Sequence, residues 1–137
     1  MPIKTTLLSE GRIVLVQYTD PYITSEMIAN VERLMRDVYI PAKKPIYRIL
    51  DFTAMTQFRL TMLSDGIKTL RNKPSNIAHT ALVASSPVAN GIANTLAHVL
   101  SKQDVVMYRS LDAGRNAVDE LLAHENDAVA SKGGGAS

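Results

Sequence analysis

The chain alternates between short apolar runs and segments with helical spacing, and this alternation limits the fold more than any other feature of the sequence. Two apolar runs joined by Ser9-Glu10-Gly11 come first, and strand-like and helix-like segments then follow each other. Repeated strand–helix units are typical of a mostly parallel sheet covered by helices, with right-handed crossovers. The first strand, joined through a short linker with a glycine, is expected to be antiparallel at a sheet edge. The sequence therefore predicts an α/β fold with about five strands and about four helices.

The expected bounds of these elements come from local start and stop patterns. Thr24-Ser25-Glu26 is typical of a helix start, and Pro41 ends that helix. A second helix begins near Phe58 or Arg59, and Asn72-Lys73-Pro74 ends it. Serine followed by Pro87 starts the third helix, and Ser110-Leu111-Asp112 starts the fourth. The predicted strands are 3–8, 12–19, 46–52, 77–84 and 104–109.

Composition predicts one folded domain. The chain has 137 residues, of which 46% are hydrophobic and 20% charged, close to the average for globular proteins. The apolar pattern fades after His124, so we expect a single domain at 1–124 and a flexible tail at 125–137. No apolar run approaches the roughly 20 residues that span a bilayer, and the N-terminus lacks the apolar core of a signal peptide. With no cysteine for disulfides, a cytoplasmic protein is expected.

Charge is unevenly distributed along the chain. Residues 33–73 contain nine Lys and Arg against three acids, a net +6, whereas residues 104–127 contain two Arg against six acids, a net −4. One interpretation is a basic face for an anionic partner, and the other is a pair of solvated surfaces of opposite charge. Nucleic acid is not an expected partner, because aromatic residues are only 5% and tryptophan is absent.

Polar residues follow the predicted parallel strands at their carboxyl ends, where open α/β sheets hold ligands. The candidates for a ligand or partner rim are Asp20, Asp51, Thr53, Thr56, Ser85, Ser86 and Arg109. Helix N-termini at this rim favour an anion, so a carboxylate or phosphate held by Ser85, Ser86 and Arg109 is one hypothesis. The alternative is that the two serines cap the third helix and Arg109 is solvated.

Catalytic patterns are weak. Asp20 and Asp51 would suit acid–base chemistry if they were neighbours at the rim, but an aspartate after a strand more often caps a turn. His79, His98 and His124 do not have the spacing of metal ligands. No glycine-rich phosphate loop and no hydrolase motif is present in the sequence. We therefore expect no enzyme activity, no metal and no cofactor.

Two stretches carry a resemblance to a known family. The apolar strand that ends in LDFT and the C-terminal helix SLDAGRNAVDELL, within this element order, resemble the STAS domain, the anti-sigma-factor antagonist fold, and its SpoIIAA-like group. The resemblance covers roughly residues 3–123 and implies a STAS-like regulatory domain. Antagonists carry a phosphorylated serine in a DSxG motif at the start of the following helix. This chain has Phe58-Arg59-Leu60-Thr61-Met62 there, so the resemblance does not carry over the phosphorylation switch.

Three functional hypotheses follow. The first is a non-catalytic regulatory or protein-interaction module that presents the second helix to an acidic partner through Arg59, Thr61, Lys68 and Arg71. A homodimer is expected with it, which forms either through the edge strand IKTTLL or through a helix. The second is a domain that binds a small lipid-like or anionic ligand at the carboxyl ends of the strands, with methionines in an adaptable apolar pocket. The alternative is that the methionines fill gaps in the core. The third is an enzyme that uses Asp51 and a hydroxyl at the rim.

Overall fold

The computed structural model describes residues 3–57, 60–71, 74, 76–100 and 104–136. Its elements follow the predicted order. They are β1 Ile3–Leu8, β2 Ile13–Thr19, α1 Thr24–Leu34, β3 Ile46–Ala54, α2 Leu60–Arg71, β4 Ile77–Val83, α3 Pro87–Val99, β5 Val105–Tyr108 and α4 Leu111–Ala136. A π-helical turn, Met35–Tyr39, continues α1. The predicted start of α2 near Phe58 or Arg59 lies outside the described residues.

The five strands form one mixed sheet in the order β1-β2-β3-β4-β5. β1 pairs antiparallel with β2, and the other three pairs are parallel. Ser9, Glu10 and Gly11 make the tight turn between the first two strands with φ of 52, 59 and 84°. Glycine adopts such angles without steric cost. The predicted α/β fold with a five-stranded mixed sheet and four helices is confirmed.

Helices cover the sheet unequally. α1, α2 and α3 pack on one face, where Val16, Leu50 and Leu82 are buried with helix residues such as Leu70 and Leu96. α4 packs on the other face, where Val118 and Leu122 contact a cluster that includes Ile13, Ile49 and Val83. The three parallel connections all advance in the same direction across the sheet, so crossovers of one hand place their helices on one face.

The C-terminal region departs in part from the expected layout. The backbone of α4 continues as helix to Ala136, past the domain limit predicted at residue 124. Glu125, the first residue of the predicted tail, accepts a hydrogen bond from the Arg12 guanidinium. The limit of the domain stays a prediction, but Glu125 contacts the folded part of the chain. Within the described ranges, no helix has both the length and the apolar character needed to cross a membrane.

Candidate functional site

Asp20 and Thr56 are brought together at the carboxyl ends of the strands, as the rim hypothesis requires. The Asp20 carboxylate accepts hydrogen bonds from the Thr56 N–H at 2.9 Å, from the Thr56 hydroxyl and from the Gln57 N–H at 3.2 Å. The hydrogen bonds from Thr56, led by its hydroxyl, lower the pKa of Asp20. The carboxylate therefore joins the end of β2 to the loop after β3.

Asp51 is buried, and both of its carboxylate oxygens accept hydrogen bonds from residues of β3 and β2. Oδ1 accepts from the Thr53 N–H at 2.9 Å and from its hydroxyl at 2.7 Å, and Oδ2 accepts from the Gln17 amide at 3.1 Å. Successive side chains of a strand point to opposite faces, so Asp51 shares the α4 face with Ile49. This arrangement agrees with the structural interpretation of Asp51 and gives no support to its role in catalysis.

The remaining rim residues lie at the ends of β4 and β5. The Ala84 N–H donates to the Tyr108 carbonyl at 3.1 Å and brings the two strand ends together. Ser85 and Arg109 are exposed next to these ends, and Ser86 is partly buried before α3. The hydroxyl of Ser110 accepts from the Ala113 N–H at 3.1 Å and caps α4. An anion site at these residues stays a prediction.

On α2, the solvent-facing side carries three of the four predicted interaction residues. Thr61, Lys68 and Arg71 are exposed, whereas Arg59 lies outside the described residues. No cluster of three or more His, Asp or Glu suited to a metal ion occurs in the part of the chain that the structure describes.

An apolar pocket lies between the sheet and the three-helix layer. Its free volume is about 50 Å³, and side chains from β2, β3, β4, α1, α2 and α3 line it. Leu50 and Leu82 belong to its sheet side, and Met62 and Leu96 to its helix side. The stacked rings of Tyr18 and Phe52, with centroids 4.8 Å apart, also line it. A helix layer that spans three strands thus leaves a gap in an otherwise close-packed core.

Polar groups next to this pocket join α2 to the start of α1. The Asp65 carboxylate accepts from the Tyr22 hydroxyl at 2.7 Å and from the Thr24 hydroxyl at 2.9 Å. Burial, and then the hydrogen bond to Asp65, raise the pKa of Tyr22 above its ordinary value. Asp65, Tyr22 and Thr24 together form what we call the Asp65 cluster. Since Tyr22 also lines the pocket, this cluster fixes one part of the pocket wall.

A positive charge is buried deeper in the same face of the sheet. Arg48, in the centre of β3, is only 4% exposed. Its Nε donates to the Thr80 hydroxyl at 3.0 Å, and the guanidinium is also hydrogen-bonded to the Tyr39 hydroxyl. Nη2 is buried without a hydrogen-bond partner among the described residues. Burial lowers the pKa of Arg48, and Tyr39 and Tyr18 partly oppose this change.

Sequence reasoning missed Arg48 and most of the residues that line the pocket, although the ligand hypothesis expected methionines in an apolar pocket. Arg48 left one visible sign, a charged residue at a position that faces the core within the apolar run IYRIL. No local pattern predicts which residues line the pocket, because the lining combines residues of six elements. Comparisons with protein-family models, with curated proteins and with solved structures gave no match.

Proposed function

We propose that this chain is a non-catalytic binding module that holds a small apolar molecule between its sheet and its three-helix layer. The observation that carries this proposal is the pocket of about 50 Å³, lined almost wholly by apolar side chains. Apolar cavities stay dry and accept apolar guests, whereas gaps in protein cores are otherwise few. The methionines Met27 and Met62 line it and supply adaptable walls.

The hydrogen bonds of the two candidate catalytic acids support a module without catalysis. Asp20 and Asp51 both use their carboxylate oxygens to hold nearby strand ends and loops. Asp51 also lies on the α4 face, opposite the pocket. A general base has to reach its substrate by a hydrogen bond or through one water molecule, which Asp51 cannot do for a ligand in this pocket.

Methionine methyl NMR tests the proposal directly. We expect decanol, a neutral apolar probe, to shift the methyl signals of Met27 and Met62, because both residues line the pocket. Met35 and Met107 pack against the same core cluster but do not line the pocket, so their signals should move little and serve as internal controls. Equal shifts at all four methionines, or none at all, would contradict the proposal.

A pair of filling variants separates pocket binding from general stickiness. Ala93→Leu adds volume to a residue that lines the pocket and should abolish the decanol shifts. Ala97→Leu adds the same atoms on the same helix at a position that packs against the core without lining the pocket. We expect Ala97→Leu to keep decanol binding. Equal loss in both variants would show that the helix, and not the pocket, was disturbed.

The solvent face of α2 supports a second candidate, the STAS-like interaction module. Thr61, Lys68 and Arg71 are exposed on one helix, and the sheet order agrees with the layout that the STAS resemblance implies. An acidic protein surface is the partner that matches these cations. A cytoplasmic location remains a prediction alongside it.

Titration with a short polyglutamate peptide tests this second candidate. We expect backbone NMR shifts centred on α2, and their loss in the double variant Lys68→Glu with Arg71→Glu. Lys43→Glu with Lys44→Glu makes the same charge change in the loop before β3 and should keep the response. Shifts that follow every exposed cation equally would reject a specific surface on α2.

A further inference from the structure

Arg48 is a cation without a described counter-charge. The hydroxyls of Tyr39 and Tyr18 influence the pKa of the guanidinium, and the Thr80 hydroxyl accepts a hydrogen bond from Nε. All three are neutral, and Nη2 has no partner in the described part of the chain. Burial of an uncompensated charge is strongly unfavourable, and arginine keeps its proton in proteins. A residue that breaks this rule inside a core is typical of a functional position.

The pocket lies further along the same face of the sheet, and Arg48 itself is not among the residues that line it. Residues two apart on a strand share a face and lie about 7 Å apart, so Leu50 follows Arg48 on β3 and Leu82 follows Thr80 on β4. Both leucines line the pocket, as does Tyr18, which is close enough to Arg48 to influence the pKa of its guanidinium. An apolar space and an incompletely bonded guanidinium are therefore neighbours on one face of the sheet.

We propose that the pocket takes an alkyl carboxylate, with its head group on Arg48 and its chain between the sheet leucines and α2. This inference rests on the proposed function and adds the chemical class of the ligand. One carboxylate neutralises one guanidinium, and the unused Nη2 donates to it. The chain then lies against Leu50 and Leu82 on one side and Met62 on the other.

Entry of decanoate, and equally of the decanol probe, requires α2 to move outward, since the free volume of about 50 Å³ is small for a ten-carbon chain. The backbone of α2 makes more contacts with the neighbouring helices α1 and α3 than with the strands of the sheet. The hydrogen bonds that Asp65 accepts from Tyr22 and Thr24 also connect α2 to the start of α1. Movement of α2 therefore breaks a limited set of contacts and leaves the sheet intact.

Binding of decanoate and of decanol to matched variants tests the inference. Wild type should bind decanoate about 10- to 100-fold more tightly than Arg48→Met, the range of a hydrogen bond to a charged group. Decanol should bind both proteins alike, because it carries no charge. Arg48→Gln, which keeps a polar side chain, should behave as Arg48→Met does, and Arg115→Met, at a surface ion pair, should bind as wild type.

The outcomes separate the two proposals. Equal decanoate affinity in wild type, Arg48→Met and Arg48→Gln overturns the role of Arg48 and leaves the apolar pocket standing. Failure of both probes to shift Met27 and Met62 in wild type overturns the proposed function and this inference together. If neither variant folds, the guanidinium ¹⁵N signal of Arg48 in wild type decides, because it should move with decanoate and not with decanol.

Discussion

At the scale of single residues, two aspartates form hydrogen bonds at the carboxyl ends of β2 and β3. Asp51 accepts from Thr53 and Gln17, and Asp20 accepts from Thr56 and Gln57. Each carboxylate thereby replaces the water that its loop amides would otherwise bind. Both residues follow the ends of strands, and their carboxylate oxygens accept hydrogen bonds from neighbouring loops and strands, so their role in a functional rim stays a prediction.

The lowered pKa of Asp20 predicts a pH dependence of stability. A carboxyl whose pKa is lower in the folded state stabilises the fold above its unfolded pKa of about 4, and this contribution is lost as pH falls through the lower folded value. We expect Asp20→Asn to weaken the decline in the free energy of unfolding below pH 4, measured by urea denaturation. Thr56→Val removes the main cause of the shift and should weaken it too. An unchanged pH profile in both variants would contradict the assignment.

At the scale of elements, α4 lies very close to β4 at Gly114. A Cβ atom at Gly114 would lie 2.9 Å from the Val83 side chain, whereas one at Gly91 in α3 would meet nothing within 4 Å. We expect Gly114→Ala to reduce stability by about 1–3 kcal/mol through overpacking. Gly91→Ala should raise it by up to about 1 kcal/mol through helix propensity. Urea denaturation of the two variants measures both, and a tolerated alanine at Gly114 would contradict this packing of α4.

The Asp65 cluster predicts how firmly α2 is held. Asp65→Ala removes the acceptor of the Tyr22 and Thr24 hydroxyls, so amides of α2 should exchange with deuterium faster than in wild type. Tyr22→Phe removes one of the two hydrogen bonds and should have a smaller effect. Decanol should also bind Asp65→Ala with a higher association rate. Unchanged exchange in α2 would show that α1 and α3 alone hold it.

At the scale of the whole molecule, β1 and β5 are the edge strands of the sheet that the structure describes. Leu7 on β1 is 51% exposed and Val106 on β5 is 43% exposed. Open edges with exposed apolar side chains favour pairing between copies of a chain. The predicted homodimer through β1 is thus one of two ways in which edge strands of this sheet can pair.

Sedimentation equilibrium tests the homodimer. We expect a species of twice the 15.0 kDa chain mass, and its loss in Leu7→Lys, which adds a charge to the β1 edge. Val106→Lys makes the same change at the other edge and should leave the dimer intact. Loss of the dimer only in Val106→Lys would move the interface to β5, and a monomeric wild type would reject the dimer.

The sequence by itself determined the number and order of the elements, because hydrophobic periodicity, helix starts and the Ser9-Glu10-Gly11 turn are local properties. Only the tertiary structure decided which residues meet. Arg48 and Thr80 are 32 positions apart, and Tyr22 and Asp65 are 43 apart. The first pair meets because β3 and β4 pair in parallel, and the second because the crossovers place α1 and α2 on one face of the sheet. The pocket results from that packing, whereas the neighbouring cation left one local sign, a charged residue within the apolar run IYRIL.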